Sequence, residues 1–400
     1  MDGFDGNGYA VIGANFGDEG KGLVTDFICS TVKDPLVIRF SGGQQAGHTV
    51  VFNGKRHVFS NFGSGAFRGA PTYWAPTCTF DPVGAMRELK ILLSVGVNPM
   101  LYVDEMCPVT TPYDKMHNRQ RDRNCGHGTC GVGVGATVER EESMASLLAG
   151  DLCSRFVFES KLASVERHYD AMYGKSMKIV RKGAVTVVRM ADPRVIPVSV
   201  DEFYEALAEM VGSPHIRLVR GIPDSSAGKN RVFEGSQGLM LDPRIGVFPH
   251  VTRTRTGTEN VLRLHADPTV FVVTRAYLTR HGAGPMPNDG MPHNISTNPD
   301  ETNANNAWQG EFRRALLDVD TLKYAIGRDE YIRSAHKKVL VVTCLDHVRG
   351  DYRYTRGGEI VQNSCEEEFV KGISDYLGFG VVYVSDGPVA CDVRSFKTRE

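Results

Sequence analysis

Short runs of consecutive apolar residues recur along the chain, and turn-forming residues bound each run. Many of these residues are β-branched, and the runs occupy residues 9–12, 36–40, 231–233, 270–273, 339–342 and 381–384. Their hydrophobicity is continuous rather than alternating, which is typical of strands buried on both faces. The pattern therefore predicts a large, mainly parallel central sheet.

Longer segments with apolar residues at helical spacing lie between these runs. They span residues 81–95, 200–211 and 365–377. Strands that alternate with helices indicate an α/β fold in which helices flank the sheet. Residues 151–219 have mixed helical and strand character, and their pattern does not place them.

Loops follow several of the predicted strands, at residues 41–47, 235–238 and 280–287. In open parallel sheets, ligands bind at the carboxyl ends of the strands, so these loops are the expected ligand loops. Residues 285–306 are rich in Pro, Asn, Asp and Thr. A stretch of this length without an element pattern is usually a functional lid or a disordered segment.

Composition adds few constraints to this picture. A chain of 400 residues can form one large α/β domain or two smaller ones. Its net charge of −1 gives no global electric field for recruiting nucleic acid or a membrane surface. No apolar run approaches the ~18 residues of a membrane span, and residues 1–8 do not resemble a signal peptide. Nine scattered cysteines without CxxC pairs indicate reduced thiols, so we expect a cytoplasmic protein.

The most specific motif is GDEGKG at residues 17–22, between the first predicted strand and a helix. A glycine-rich turn that opens a helix offers free amides and the positive end of the helix dipole, and Lys21 adds a cation. This combination suits phosphate, although it is not a Walker A loop, which requires Gly-Lys-Ser/Thr after four spacers. The acidic pair within the turn, Asp18 and Glu19, suggests a metal ion or a base beside the phosphoryl group.

A second motif, GGQQAGHT at residues 42–49, follows a predicted buried strand. Its glycines allow a ligand to approach the backbone closely, and His48 can donate or accept a proton near neutral pH. A third, at residues 125–135, contains Cys125, His127 and Cys130, but the spacing matches no common zinc site. A glycine-dense loop that closes over a phosphate or a nucleotide is the better interpretation.

Four further motifs complete the set. They lie at residues 234–238 with 249–252, at 279–285, at 308–314 and at 343–346. Paired arginines such as Arg313 and Arg314 suit carboxylate or phosphate binding, and Asp346 after a strand can accept hydrogen bonds from the edge of a base.

Taken in this order, the motifs resemble those of adenylosuccinate synthetase, and the resemblance runs from about residue 9 to residue 388. It implies one domain over residues 1–400, with a mobile substrate loop at about 285–314. It also implies a carbon–nitrogen ligase that uses Mg²⁺ and a nucleoside triphosphate to couple L-aspartate to C6 of a purine nucleoside monophosphate, through a 6-phosphoryl intermediate.

The resemblance also implies roles for individual residues. Asp18 would act as the base on purine N1, His48 as the acid on the transferring phosphoryl group, and Asp18 with the Gly47 carbonyl as Mg²⁺ ligands. The aspartate substrate would bind Gln309, Gly310 and Arg313. Phosphate and nucleotide contacts would come from Glu19, Gly20, Lys21, Gly22, Gln45, Thr49, Thr129, Cys130, Gln237, Thr252, Asp346, Ser385, Gly387 and Pro388.

Several positions depart from the common form of the family. Gln45 replaces an asparagine, the loop at residues 308–313 differs, and Cys344 replaces a lysine that can lie over a guanine donor base, which favours ATP or dATP over GTP. The asparagine-rich loop followed by WQG-x-F-R looks like the phage and archaeal 2-aminoadenylosuccinate synthetase branch, which uses dGMP or GMP. Many members of that branch lack the aspartate that this chain keeps as Asp18.

We therefore expect dGMP or GMP as the acceptor. The alternatives are IMP with GTP in AMP synthesis and, more remotely, a purine nucleotide sensor without catalysis. The family also implies a homodimer in which an arginine of one subunit reaches the site of the other. Arg140 lies near the matching position, but the alignment does not assign it.

Overall fold

The computed structural model describes residues 3–125, 129–182, 185–223, 230–296 and 310–397. The strands in chain order are β1 Gly8–Gly13, β2 Pro35–Arg39, β3 His48–Phe52, β4 Lys55–Phe59, β5 Thr72–Trp74, β6 Leu101–Asp104, β7 Met177–Lys182, β8 Val185–Met190, β9 Val198–Ser199, β10 Ile216–Val219, β11 Asn230–Gly238, β12 Thr269–Arg275, β13 Tyr277–His281, β14 Phe312–Asp318, β15 Lys338–Thr343, β16 Arg353–Arg356, β17 Glu359–Gln362, β18 Val382–Ser385 and β19 Val393–Phe396. The α-helices are α1 Lys21–Thr31, α2 Pro82–Ser94, α3 Pro112–Cys125, α4 Val134–Glu142, α5 Arg155–Tyr173, α6 Asp201–Val211, α7 Glu259–Leu262, α8 Val319–Arg328, α9 Glu330–Ser334 and α10 Glu366–Leu377.

Ten strands form the central sheet, in the order β10-β6-β5-β2-β11-β1-β12-β15-β18-β19. Neighbouring strands pair in parallel except at the β18–β19 edge, which is antiparallel. All residues of β1 and of β12 are buried, as the continuous apolar runs predict. The predicted α/β fold with a mainly parallel sheet is therefore confirmed.

Successive residues of β1 pack into different layers, because side chains of a strand point alternately to its two faces. Tyr9 and Val11 join a cluster that contains Leu23 and Phe27 of α1. Ala10 and Ile12 join another cluster, which contains residues of α8 and α10. Helices thus cover the sheet on both faces, which is why its strands read as uninterrupted apolar runs.

The three predicted helices are present with bounds shifted by no more than two residues, as α2, α6 and α10. Residues 151–219, which the sequence pattern did not place, form α5, the three-stranded β7-β8-β9 sheet, α6 and β10. Their apolar residues share a separate core with α2, β5 and β6. No helix in the described part of the chain is long and apolar enough to cross a membrane.

Three predicted loop boundaries are wrong. Residues 235–238 continue β11, and residues 280 and 281 end β13. Residues 312–314, predicted to belong to the substrate loop, begin β14, which pairs antiparallel with β13. Glycines and arginines at these positions suggested loops, but the backbone pairs with a neighbouring strand regardless of those side chains. Residues 297–309 of the predicted loop lie outside the described residues.

Candidate active site

A cavity of about 860 Å³ lies where the loops at the carboxyl ends of β1, β2 and β15 meet. The structure brings together most of the predicted site residues, since those that line the cavity are Asp18, Gly20, Lys21, Gly22, Gln45, Gly47, His48, Thr49, Thr129, Cys130, Gln237, Thr252, Asp346, Gly387 and Pro388. Glu19, Ser385, Gly310 and Arg313 are not lining residues, and Gln309 lies outside the described residues.

The loop between β1 and α1 carries Asp18 in a left-handed backbone conformation, with φ at 61°. Glycines at 17 and 20 also have positive φ, which explains why this tight turn is glycine-rich. Glu19 is buried and accepts hydrogen bonds from the backbone amides of Asn15 (3.1 Å) and Gly17 (2.8 Å). Its other oxygen lies 2.5 Å from Lys21 Nζ. Glu19 therefore stabilises the loop through contacts with the loop's own residues.

Asp18 is held from two sides by the adjoining strands. Its backbone carbonyl accepts a hydrogen bond from Arg275 Nε, and Thr279 donates to the neighbouring Gly17 carbonyl. The carboxylate is 23% exposed and lies 3.5 Å from His281 Nε2. The backbone is therefore fixed, while the partly exposed carboxylate lines the cavity.

His48 and Glu234 form a buried pair, with Nδ1 and Oε1 2.6 Å apart. Burial lowers the pKa of His48, and the neighbouring carboxylate only partly offsets this. Burial also raises the pKa of Glu234, but the His48 charge and hydrogen bond, Arg39 and Ser64 outweigh it and lower that pKa to about 2. Glu234 therefore stays ionised and fixes the imidazole with Nδ1 towards itself.

The other ring nitrogen of His48, Nε2, is buried and has no hydrogen-bond partner among the described residues. His48 lines the cavity, and none of the described residues competes with a ligand for this nitrogen. The arrangement resembles the carboxylate–imidazole pairs of other enzymes, in which one nitrogen is oriented and the other acts on the substrate. The sequence motif at residues 234–238 contains Glu234, but its spacing gave no indication of a contact with His48.

The third motif contributes Thr129 and Cys130 to the cavity wall. Thr129 accepts a hydrogen bond from Asn118 (2.8 Å) and donates one to Asp122. Burial raises the pKa of Cys130 to about 12, so this thiol stays protonated near neutral pH. Residues 126–128, which include His127 of the rejected zinc pattern, lie outside the described residues.

The segments after β15 and β18 form the opposite part of the wall, through Cys344, Asp346, His347, Gly387 and Pro388. Cys344 has a left-handed backbone, and His347 Nε2 lies 3.6 Å from the Asp346 carboxylate. Ser385 is buried behind this wall, where its hydroxyl donates to the Gly387 carbonyl (2.7 Å). Ser385 therefore shapes the turn that presents Gly387 and Pro388.

Arg313 lies beside the cavity rather than in its wall. Its guanidinium pairs with Asp289 (2.5 Å) and donates to the carbonyls of Gly282 (2.7 Å) and Gly284 (2.5 Å). Arg280, which pairs with Arg313 across the two strands, does line the cavity. Burial and the charge of Arg313 lower the pKa of Arg280 to about 10, which leaves it cationic at neutral pH.

The lining is strongly cationic, although the whole chain has a net charge of −1. Among the described residues, the lining contains six basic side chains, Lys21, Arg56, Arg121, Arg253, Arg275 and Arg280, against the two carboxylates Asp18 and Asp346. Four of these arginines (Arg56, Arg121, Arg253 and Arg275) were not identified from the sequence, because they lie outside the quoted motifs. An excess of cations in a cleft suits a ligand with several phosphate charges.

The family model for adenylosuccinate synthetase matches residues 10–376 of this chain. The chain belongs to the adenylosuccinate synthetase family. It is 28% identical to the adenylosuccinate synthetase of Thermoplasma volcanium over 87% of this chain and 79% of the relative. It is 29% identical to that of Chromohalobacter salexigens over 91% of this chain and 84% of the relative.

Two solved structures share the fold. One is the fully ligated adenylosuccinate synthetase of Plasmodium falciparum (TM-score 0.74, 19% identity, 98% of this chain and 100% of the other). The second is the succinoaminodeoxyadenylate synthetase of cyanophage S-2L, solved with dGMP and with dATP as energy donor (TM-score 0.58, 16% identity, 98% and 95%). Membership of the adenylosuccinate synthetase family makes the protein a carbon–nitrogen ligase that acts on purine nucleotides with a nucleoside triphosphate.

The oxygen ligands available in the cavity of this adenylosuccinate synthetase fold fit Mg²⁺. The Asp18 carboxylate and residue Gly47 both line the cavity, and Mg²⁺ is commonly bound through one or two protein oxygens together with substrate phosphates. No group of three or more His, Cys, Asp or Glu side chains within the described ranges could hold a metal without such phosphates.

The side chain of Arg140 is not exposed, as a contact with a second subunit would require. Its side chain is fully buried, pairs with Asp114 (2.8 Å), and donates to the carbonyls of Ala145 (2.6 Å) and Val109 (2.8 Å). Arg140 therefore stabilises its own subunit and does not extend to a second one.

Proposed function

We propose that this ligase joins L-aspartate to C6 of a guanine nucleoside monophosphate, dGMP or GMP. The product would be 2-amino-N6-succinyladenylate or its deoxy form, a precursor of 2-aminoadenine nucleotides. The observation that carries this proposal is the state of the Gln45 side chain in the cavity wall.

The terminal Oε1 and Nε2 atoms of Gln45 are both buried and lack hydrogen-bond partners among the described residues. An added Cβ on Gly42 would lie 2.5 Å from Gln45 Nε2 and 2.6 Å from Ser236 Oγ, so both atoms lie close to the Gly42 backbone. A carboxamide offers an acceptor and two donors, and burying them without partners costs about 1–3 kcal/mol. The exocyclic 2-amine of guanine, which hypoxanthine lacks, would donate a hydrogen bond to Gln45 Oε1.

We propose the following sequence of steps. Asp18 accepts the proton from N1, O6 attacks the γ-phosphorus, and the nucleoside diphosphate leaves. The amine of L-aspartate then attacks C6 and inorganic phosphate leaves, while the proton lost by the amine and the N1 proton held by Asp18 pass to the phosphate and to solvent. His48 Nε2 and Lys21 would interact with the transferring phosphoryl group, and positioned charges of this kind supply most catalysis in phosphoryl transfer.

Mg²⁺, when bound at Asp18 and the Gly47 carbonyl, would neutralise charge on the donor phosphates. We further propose that ATP or dATP is the donor, because Cys344 supplies no cation to lie over a guanine ring. We propose that Gly310, Gln309 and Arg313 bind the carboxylates of L-aspartate. For Arg313 this requires that its guanidinium leave Asp289. We also propose that the protein is a homodimer, in which a residue other than Arg140 reaches the site of the partner subunit.

A second candidate is the coupling of IMP to L-aspartate with GTP. It is favoured by the names of the curated relatives, which are adenylosuccinate synthetases, and by the retained Asp18. A base at N1 serves hypoxanthine as well as guanine, so Asp18 does not separate the two acceptors.

The test is release of inorganic phosphate with Mg²⁺ and L-aspartate, with IMP, GMP and dGMP each combined with ATP, dATP and GTP. We expect the highest kcat/KM for GMP or dGMP with ATP or dATP. Preference for IMP with GTP would overturn the proposal in favour of the second candidate. Absence of phosphate release with every pair, while nucleotides still bind, would instead indicate a sensor.

Gln45→Asn is the matched variant for the acceptor. It keeps the amide but shortens the side chain by one methylene group, so the amide no longer reaches the same position. We expect kcat/KM for the guanine nucleotide to fall about tenfold relative to IMP, the loss of roughly one hydrogen bond. An unchanged ratio would show that Gln45 does not read the acceptor base.

A further inference from the structure

Polar side chains occupy alternate positions at the end of β12 and along β13, namely Arg275, Tyr277, Thr279 and His281. Within β13 this alternation places Tyr277, Thr279 and His281 on one side of the strand. Thr279 and His281 contact Gly17 and Asp18. Arg275 contacts the same loop. It also forms a hydrogen bond on the side of the cavity where we expect the base of the donor nucleotide to bind.

The hydrogen bonds from Arg275 form a continuous chain. Arg275 Nε donates to the Asp18 carbonyl, and Arg275 Nη1 donates to Tyr277 Oη at 2.7 Å. Tyr277 Oη lies 2.7 Å from His347 Nδ1, and the two rings stack with centroids 5.7 Å apart. His347 Nε2 then lies 3.6 Å from the Asp346 carboxylate.

The Tyr277 oxygen accepts from Arg275, and the hydrogen bond between Tyr277 Oη and His347 Nδ1 can run in either direction. With the tyrosine as donor, the neutral imidazole carries its proton on Nε2, on the side of Asp346. Arg275, Tyr277 and His347 are all at least nine-tenths buried, so water does not readily replace these contacts.

We propose that Arg275, Tyr277 and His347 are positioning residues that couple the donor-base site at Asp346 to the placement of Asp18. A purine base that binds Asp346 fixes His347, and the hydrogen bonds pass this constraint through Tyr277 to Arg275 and the Asp18 loop. The inference rests on the proposed ligase reaction in this cavity, but it does not depend on which purine is the acceptor.

Coupling of this kind is reciprocal: a donor that orders the Asp18 loop tightens acceptor binding, and the acceptor tightens donor binding by the same factor. It also places Asp18 for proton transfer only when both nucleotides are bound. If these three residues only stabilised the fold, substituting them would change the stability of the protein but not the coupling factor. The coupling factor therefore distinguishes a positioning role from a purely structural one.

Tyr277→Phe removes the central hydroxyl and keeps the ring. Tyr331→Phe is the matched control, because its hydroxyl also makes two hydrogen bonds, at 2.9 Å to Asp267 and 2.9 Å to the Pro268 carbonyl. These partners directly precede β12 (Thr269–Arg275), at the end of the sheet opposite the cavity. His347→Gln is the second variant. We refer to Arg275, Tyr277 and His347 together as the relay.

The measurement is isothermal titration of GMP with and without AMP-PNP, and of IMP with and without GMP-PNP, followed by steady-state kcat and KM. In the wild type and in Tyr331→Phe we expect the donor analogue to tighten the acceptor about fivefold or more. In Tyr277→Phe and His347→Gln we expect that factor to approach one and kcat to fall about tenfold. The Kd of each nucleotide alone should change less than about twofold.

An unchanged coupling factor in both relay variants, with correctly folded protein by thermal unfolding, would overturn the relay. So would the absence of coupling in the wild type. Failure of the proposed function is a separate result, since it would appear as nucleotide binding without phosphate release in the wild type.

Discussion

At the scale of single residues, the site depends on which groups are fixed and which remain available. Glu234 fixes one nitrogen of His48, and the other, Nε2, is buried without a hydrogen-bond partner among the described residues. Glu19 is engaged by Lys21 and two backbone amides, whereas the neighbouring Asp18 presents its carboxylate to the cavity. Two adjacent carboxylates thus have different roles because of their surroundings.

The role of Asp18 as a base is tested by Asp18→Asn. Asparagine tolerates the left-handed backbone, and the contact with Arg275 uses the main chain, so the loop should keep its shape. We expect kcat to fall on the order of 10³-fold because no base accepts the N1 proton, with little change in the Kd of the monophosphate. A kcat near that of the wild type would refute the assigned role.

Glu234→Gln tests whether the carboxylate charge supports His48. Glutamine can still accept from Nδ1, but it cannot balance a positive imidazole, so the pKa of His48 should fall further below its ordinary value. We expect kcat to fall about 10- to 100-fold and the high-pH loss of activity to move to lower pH. His48→Ala serves as the reference and should lose more kcat than Glu234→Gln, with a similar KM.

At the scale of elements, the site depends on how closely α1 approaches β3. Gly22, in the first turn of α1, packs directly against His48 at the start of β3, and an added Cβ would lie 2.7 Å from His48 Cβ. A glycine is required here because the helix and the strand approach so closely. The same contact holds the anion-binding turn next to the imidazole.

Gly22→Ala should therefore displace His48 without removing any chemical group. We expect the free energy of unfolding to fall by about 1–3 kcal/mol and kcat to fall about tenfold or more. Gly327→Ala in α8 is the control, because its added Cβ would have no atom within 4 Å. That control should raise stability slightly, by about 0.5–1 kcal/mol, and leave kcat unchanged.

At the scale of the whole molecule, charge is distributed unevenly. Acidic and basic residues nearly balance over the chain, with 47 against 46, while the described part of the cavity lining has six basic side chains and two carboxylates. The fold therefore concentrates positive charge at the carboxyl ends of the parallel strands, where the loops of distant motifs meet.

This charge predicts a marked effect of salt on nucleotide binding. Raising NaCl from about 50 mM to about 500 mM should raise the Kd of GMP several-fold, because screening weakens attraction between the phosphate and the cavity. Guanosine, which lacks the phosphate, is the control, and its Kd should stay nearly constant. Equal salt dependence of GMP and guanosine would contradict an electrostatic role for the lining.

The sequence determined the strand cores, three helices, the GDEGKG turn and the family, because these follow from local hydrophobic periodicity and from motifs with contiguous residues. Only the tertiary structure showed that Glu234 meets His48, that His281 and Arg275 reach Asp18, and that Arg140 is buried. These contacts join residues far apart in the chain, and their geometry follows from the order of the strands. The same order built the hydrogen-bonded chain from His347 through Tyr277 and Arg275 to the Asp18 carbonyl, which no local pattern could indicate.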